Sequence, residues 1–228
     1  MLRNGGIIIF DFKYFLNAFP DLLKYLDYTI LMAVISTLIG LILALILATI
    51  RILKIKVLSQ IVSVYISFFR GTPLLVQLFV FYFGLPQIIK PLKNLTPFWA
   101  MIIGLSLCGS ALLSEIFRGA VMSVEKGQLE AALSVGMTHG QGLRRIVFPQ
   151  AIRIAIPGIG NTFVDLLKSS SLAYVLGLTE ILARAQSNAA SSFKVLENYL
   201  ALAIIYWIVV EIFNFIQKII EKKFSKAY

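Results

Sequence analysis

From residue 28 to residue 50 the chain carries no charged side chain. A helix needs roughly 20 consecutive apolar residues to cross a hydrocarbon core about 30 Å thick, and this run meets that length. Inside a bilayer the backbone N–H and C=O groups have no water to bind, so only helices and closed barrels can cross it. Long unbroken apolar runs favour helices over the alternating pattern of barrel strands. The composition agrees, at 59% hydrophobic and 14% charged, against roughly 45–50% and about 25% in soluble domains. The expected fold is all-α, a polytopic membrane protein forming a single transmembrane domain.

Five such runs predict five spans, at about 28–50, 58–83, 98–120, 152–176 and 198–220. Residues 1–24 mix aromatics with Asp11, Lys13, Pro20, Asp21 and Lys24, which predicts an amphipathic lead-in at the interface rather than a signal peptide. Within the second run, Arg70-Gly71-Thr72-Pro73 should break or kink the helix and leave backbone groups in need of partners. Residues 177–197 read as a polar loop. Cys108 lies in an apolar run as a packing residue, and the lone His139 has no companion with which to hold a metal.

An odd number of spans puts the two ends of the chain on opposite sides. With the amino terminus outside, the inner segments hold Arg51, Lys54, Lys56, Arg118, Lys126, Arg144, Arg145, Arg153, Lys218, Lys222, Lys223 and Lys226. The outer segments then hold fewer: Arg3, Lys13, Lys24, Lys90, Lys93, Arg184 and Lys194. The positive-inside rule favours that orientation. It also accounts for the net charge of +10 without invoking nucleic acid.

The orientation makes the segment 121–150 cytoplasmic, and it is far longer than the usual connection of about 4–6 residues. A helix starting at Gly127 or Gln128 would place Glu130 in its first turn, where a carboxylate suits the helix dipole. Ala131 and Ala132 leave a smooth face that another protein can approach. Gly136 permits a sharp turn, and Pro149 marks the start of the next segment. An ordinary interfacial helix is the plainer alternative.

Glu130-Ala131-Ala132, Gly136 and Ile146-Val147-Phe148-Pro149 resemble the EAA loop of ABC importer permeases, whose usual ending is Ile-x-Leu-Pro, so that Phe148 departs from it. Phe69-Arg70-Gly71-Thr72-Pro73-Leu74-Leu75-Val76-Gln77, Phe117-Arg118-Gly119, and Leu167-Lys168-Ser169 with Ser171-Leu172 resemble the polar amino acid (histidine/glutamine/arginine) permeases of that group. Together these stretches cover roughly residues 58 to 182. The resemblance implies a multi-pass subunit of the bacterial cytoplasmic (inner) membrane that works by alternating access. It would pair with a second permease copy, as a homodimer or with a paralogue. It would dock on an ATP-binding cassette ATPase through a coupling helix at Glu130, Ala131, Ala132, Gly136 and Pro149, and receive its amino acid from an external binding protein. No Gly-x-x-x-x-Gly-Lys-Ser/Thr phosphate loop occurs in the chain. Catalytic residues, a metal and a cofactor are therefore not expected here, and ATP and Mg would be used by the partner ATPase.

Ionisable groups within spans tend to mark functional cavities. Asp165 lies one helical turn from Asn161, and broken helices can present backbone dipoles to a polar substrate, as Gly71 and Thr72 would. The expected substrate path is Asp165, Asn161, Glu115, Thr72, Gly71, Gln77 and Ser171. Asp165 and Glu115 would attract a basic amino acid: arginine, lysine or histidine. The alternative is that each carboxylate only neutralises its neighbour three residues on, Lys168 or Arg118. Other readings are a glutamine or glutamate permease, an ion-coupled carrier, and a membrane scaffold. Ion-coupled carriers commonly contain two internal repeats, and none is visible. A scaffold would leave the polar groups of the spans without a purpose.

Overall fold

A computed structural model of the chain describes residues 10–225. Arg3, Lys226 and the signal-peptide question at the amino terminus lie outside the described residues. Those residues are almost entirely helical, with no strand among them. Three helices are long and apolar enough to cross a membrane: α2 (Leu26–Ile52), α5 (Pro97–Ser123) and α10 (Val195–Ser225). Counting two bent helix pairs as single spans raises the number to five.

The bundle is built around α5. Its buried positions are rich in small residues, Gly104, Ser106, Gly109, Ser110, Ala111 and Ser114, which let other backbones come close in a solvent where apolar bulk gives no advantage. At Gly40 of α2 the approach is closest: a Cβ there would lie 3.4 Å from the Ser106 carbonyl oxygen and 3.5 Å from the Ser110 nitrogen.

The run from 58 to 83 is two helices, not one. α3 (Leu58–Gly71) and α4 (Leu74–Phe79) meet at a bend of 108°, and α4 runs on through a π turn and a short 3-10 turn to Gln87. Thr72 is extended at φ −117°, ψ 145°, because the ring of Pro73 disfavours the helical region for the residue before it. The two halves still climb the bundle. α3 packs Val62, Ile66 and Phe69 on Ala111, with Ile50 and Leu107 alongside, whereas Leu78 of α4 packs on Met101 and Leu105 nearer the start of α5.

One element differs from the sequence expectation, and the amphipathic lead-in takes a definite place. The stretch 177–197, read as a loop, contains a helix, α9 (Ile181–Ser192), entered from Gly177 at φ +87°. The lead-in is α1 (Phe12–Leu23), which packs Phe15, Ala18 and Leu22 into the same cluster as Ile181, Ala185, Ala201 and Ile205 of α9 and α10. It is a docked helix, capped by Asp11, whose carboxylate accepts from the Tyr14 N–H at 3.0 Å.

Candidate functional site

Between α5 and α8 (Phe148–Ser169) stand α6 (Lys126–Ser134) and the short α7 (His139–Gly142). Val124 and Glu125 are extended, so α6 begins at Lys126 immediately after them. Glu130 therefore sits in the second turn of the helix, not in the first as the sequence suggested. α6 ends in a Schellman arrangement: the Met137 N–H donates to the Ala132 carbonyl at 3.1 Å and the Gly136 N–H to the Leu133 carbonyl at 3.0 Å. Gly136 takes φ +83°, the left-handed region that glycine enters without cost.

One side of α6 is seated. Leu129 and the buried Ala132 lie against Gly142, where a Cβ would come within 2.7 Å of the Leu129 Cδ1. The other side is bare. Glu130, Ala131 and Ser134 are exposed, and so are Leu133 at 42% and Val135 at 75%. Thr138 and Gln141 form a capping box at the start of α7. From His139 the chain then stays helical through a π turn at Leu143–Val147 into α8, with Pro149 in the first turn of α8. The wide turn accommodates a residue that cannot donate an N–H. α8 is thus a direct extension of the loop.

Along α8, Asn161, Asp165 and Lys168 recur at i, i+4 and i+7 on one exposed face. Asp165 Oδ1 and Lys168 Nζ are 2.9 Å apart, with both side chains more than half exposed. Among the described residues, no side chain from another helix bonds to this pair. Ser171 donates to the Lys168 carbonyl at 2.8 Å.

Glu115 is in a different situation. Arg51, from the end of α2, bonds one of its carboxylate oxygens, and Arg118 bonds the other at 2.8 Å through Nη2 and 3.2 Å through Nε. Both oxygens are occupied within the chain. Gln77, fully buried, donates from its amide to the Phe69 carbonyl at 3.1 Å, to the Thr72 carbonyl at 3.1 Å and to the Thr72 hydroxyl at 2.9 Å. It supplies the partners that the break at Gly71-Thr72-Pro73 requires. The Thr72 hydroxyl in turn donates to the Phe68 carbonyl at 2.8 Å, while Gly71 is exposed with open space around it. Of the expected path, only Asn161 and Asp165 share a face.

Sequence reasoning missed the polar assembly at the far end of the bundle. Asp21 of α1 accepts from Arg184 at 2.8 Å and 3.1 Å and from Asn188 at 2.8 Å. Lys194 lies 3.3 Å from Asp11, whose own N–H donates to Glu197 at 2.9 Å. Glu180 is fully buried and caps α9 by accepting from the Ala183 N–H at 2.8 Å. Ala183, Ala185, Ala189 and Ala190, alanine being the strongest of helix formers, were the available signal for that helix.

The family described as "Binding-protein-dependent transport system inner membrane component" matches residues 36–226. PatM of Vibrio harveyi, described as a probable amino-acid ABC transporter permease protein, is 50% identical over 219 residues, covering 96% of this chain and 98% of that one. YxeN of Bacillus subtilis, a probable amino-acid permease protein, is 50% identical over 218 residues, covering 96% and 97%. A crystal structure of an amino acid ABC transporter with histidines superimposes with a TM-score of 0.88 at 32% identity, over 95% of this chain and 100% of the other. The chain belongs to the family of binding-protein-dependent transport system inner membrane components and, within it, to the amino-acid ABC transporter permeases, membrane subunits that rely on a separate ATPase and a substrate-binding protein.

Proposed function

We propose that this chain is the permease of an importer of polar amino acids, basic ones foremost, working as a homodimer in a bacterial inner membrane with its amino terminus outside. The carrying observation is the bare polar face of α8. Asn161, Asp165 and Lys168 project together where the described residues offer them no partner from another helix. Polar groups so placed in a span need something polar to face, and a substrate passing between two copies meets that need. A basic side chain displaces Lys168 from Asp165. Glu115 takes no part, because two arginines hold it. Gln77 and Thr72 shape the path by holding the break, and Gly71 and Ser171 lie beside it.

A second reading is favoured by the 2.9 Å pairing itself: Asp165 and Lys168 grip the ammonium and carboxylate that every free amino acid carries. Uptake of labelled arginine and glutamine by Asp165→Asn separates the two. Loss of one charged hydrogen bond, about 1.5–3 kcal/mol, should lower arginine uptake roughly tenfold or more relative to glutamine. An equal loss for both substrates supports the head-group reading, and unchanged uptake of both makes Asp165 structural.

The coupling element is α6 with Gly136. Its exposed residues, Ala131, Leu133 and Val135, are what a cleft on the ATPase would cover. A β-branched residue at φ +83° is strained, so Gly136→Val should reshape the end of α6. ATPase assays on the reconstituted complex should then show hydrolysis no longer stimulated by loaded binding protein. Transport at the wild-type rate per ATP would remove the coupling role.

A further inference from the structure

The loop that holds α6 has a counterpart at the opposite end of the bundle, in residues 85–95 between α4 and α5. Leu95 and Phe98 share a cluster there with Met32 and Leu178, whereas Val124, just before α6, belongs with Ile52 at the far end of α2. Each loop joins its helix through a π turn, Val80–Gly84 for α4 and Leu143–Val147 for α8, and π turns recur at functional sites. The helical run from Leu74 to Gln87 is unbroken. About 20 Å of helix therefore ties the loop to the break at Thr72-Pro73.

The loop is shaped in advance. Pro86 and Pro91 fix φ at two positions. Turn hydrogen bonds hold the rest: the Ile89 N–H donates to the Leu85 carbonyl at 2.8 Å, that of Leu92 to Ile89 at 3.0 Å, and that of Leu95 to Leu92 at 3.1 Å. On this frame Ile88 is 83% exposed and Ile89 44%. Lys90 and Lys93 are exposed beside them, and no carboxylate among the described residues pairs with either. Asp21, Asp11 and Glu180 are committed elsewhere at this end, to Arg184, to Lys194 and to the cap of α9.

The membrane does not account for such a surface. Positive charge favours the inner side, and the negative surface potential that attracts lysines belongs to the cytoplasmic leaflet. Two aliphatic side chains edged by cations suit a protein whose contact surface is apolar at its centre and acidic at its rim. The family to which the chain belongs depends on a binding protein, and α6 occupies the other end of the bundle.

We propose that residues 85–95 dock the external substrate-binding protein, Ile88 and Ile89 seated in an apolar hollow and Lys90 and Lys93 set against carboxylates at its rim. A load on the loop then reaches, along α4, the break that Gln77 bridges, as the ATPase reaches α8 through α6. This rests on the orientation proposed above, with the amino terminus outside.

The test uses the assembled transporter in nanodiscs with its own loaded binding protein, and reads the binding-protein concentration that half-stimulates ATP hydrolysis. Ile88→Asp should raise that concentration roughly tenfold or more, as for a central contact residue. K90E/K93E should slow association roughly tenfold at low salt. That deficit should vanish at about 1 M salt, where screening acts within about 3 Å. A benzophenone maleimide on Ile88→Cys, in a Cys108→Ser background, should capture the binding protein on irradiation. Wild-type stimulation of both loop variants overturns the docking surface and leaves the importer reading standing. Capture of phospholipid or of the second permease copy in place of the binding protein does the same. A K90E/K93E deficit that salt does not alter overturns the acidic rim. A wild type that does not respond to loaded binding protein overturns the importer reading and the docking surface together.

Discussion

α5 and α10 have much the same length, and their most apolar 18-residue stretches have almost the same mean hydropathy, 1.8 and 2.1, yet 67% of the one stretch is buried inside the chain and only 22% of the other. The corresponding stretch of α2, the most apolar of the three at 3.0, is just 33% buried. In water the most apolar helix would be the one inside. In a bilayer the lipid tails are as apolar as leucine, so hydrophobicity marks what lies in the membrane and not what lies in the core. The centre is marked by small residues: α5 buries Gly104, Ser106, Gly109, Ser110, Ala111 and Ser114. α10 presents Trp207, Ile208, Phe215 and Ile219, large and exposed. It is held at its amino-terminal end by other means, a polar latch to α1 and α9.

The sharpest way to break this contrast is to add bulk where two backbones meet. A Cβ at Gly40 already contacts backbone atoms of α5, which cannot rotate aside as a side chain can. Gly40→Leu should therefore cost about 3 kcal/mol or more, the upper part of the range for overpacking. It should show as loss of monodisperse protein in detergent and a lowered melting temperature. If Gly40→Leu melts like wild type, the close α2–α5 approach is not what holds the centre.

The polar latch gives a smaller, pH-dependent effect. The Arg184 guanidinium beside Asp21 holds its carboxyl below the usual carboxylate range; partial burial opposes this and the Asn188 bond adds to it. A depressed folded pKa means that the latch stabilises the protein above the unfolded value, about 3.9, and that the gain disappears as pH falls through the folded value. The pair is partly exposed, at 34% and 29% for the two side chains, so the contribution is about 1 kcal/mol or less. Wild type should melt above Asp21→Asn at neutral pH, and the two curves should converge below about pH 4. Parallel curves across that range would mean the ion pair does not fasten α1.

These helices were unequally legible. The break in the second run was visible because Gly71-Thr72-Pro73 acts locally, through the proline ring on the residue before it. That Gln77 closes the break was not visible, because its acceptors, the Phe69 and Thr72 carbonyls, are brought to it only by the bend. Arg118 could be paired with Glu115 by spacing, whereas Arg51, 64 residues away, could not. The face of α8 with Asn161 and Asp165 followed from helical period alone. α9 was lost because hydropathy was the criterion, and α9 is a polar helix stabilised by packing Ile181 and Ala185 under α1 and α10.

The smallest expected effect completes the contrast. Phe215 on α10 is 66% exposed, and in the bundle that exposure is to acyl chains, which solvate leucine as well as phenylalanine. Phe215→Leu removes ring area that was never transferred out of an apolar medium on folding, so the transfer gain that makes such a change costly in a soluble core is absent. The melting temperature in lipid should correspond to a change within about 0.5 kcal/mol, as for a surface substitution. A loss of several kcal/mol would show that the outer face of α10 is covered by protein in the assembled transporter, and the low burial of α10 would then belong to the single chain rather than to the complex.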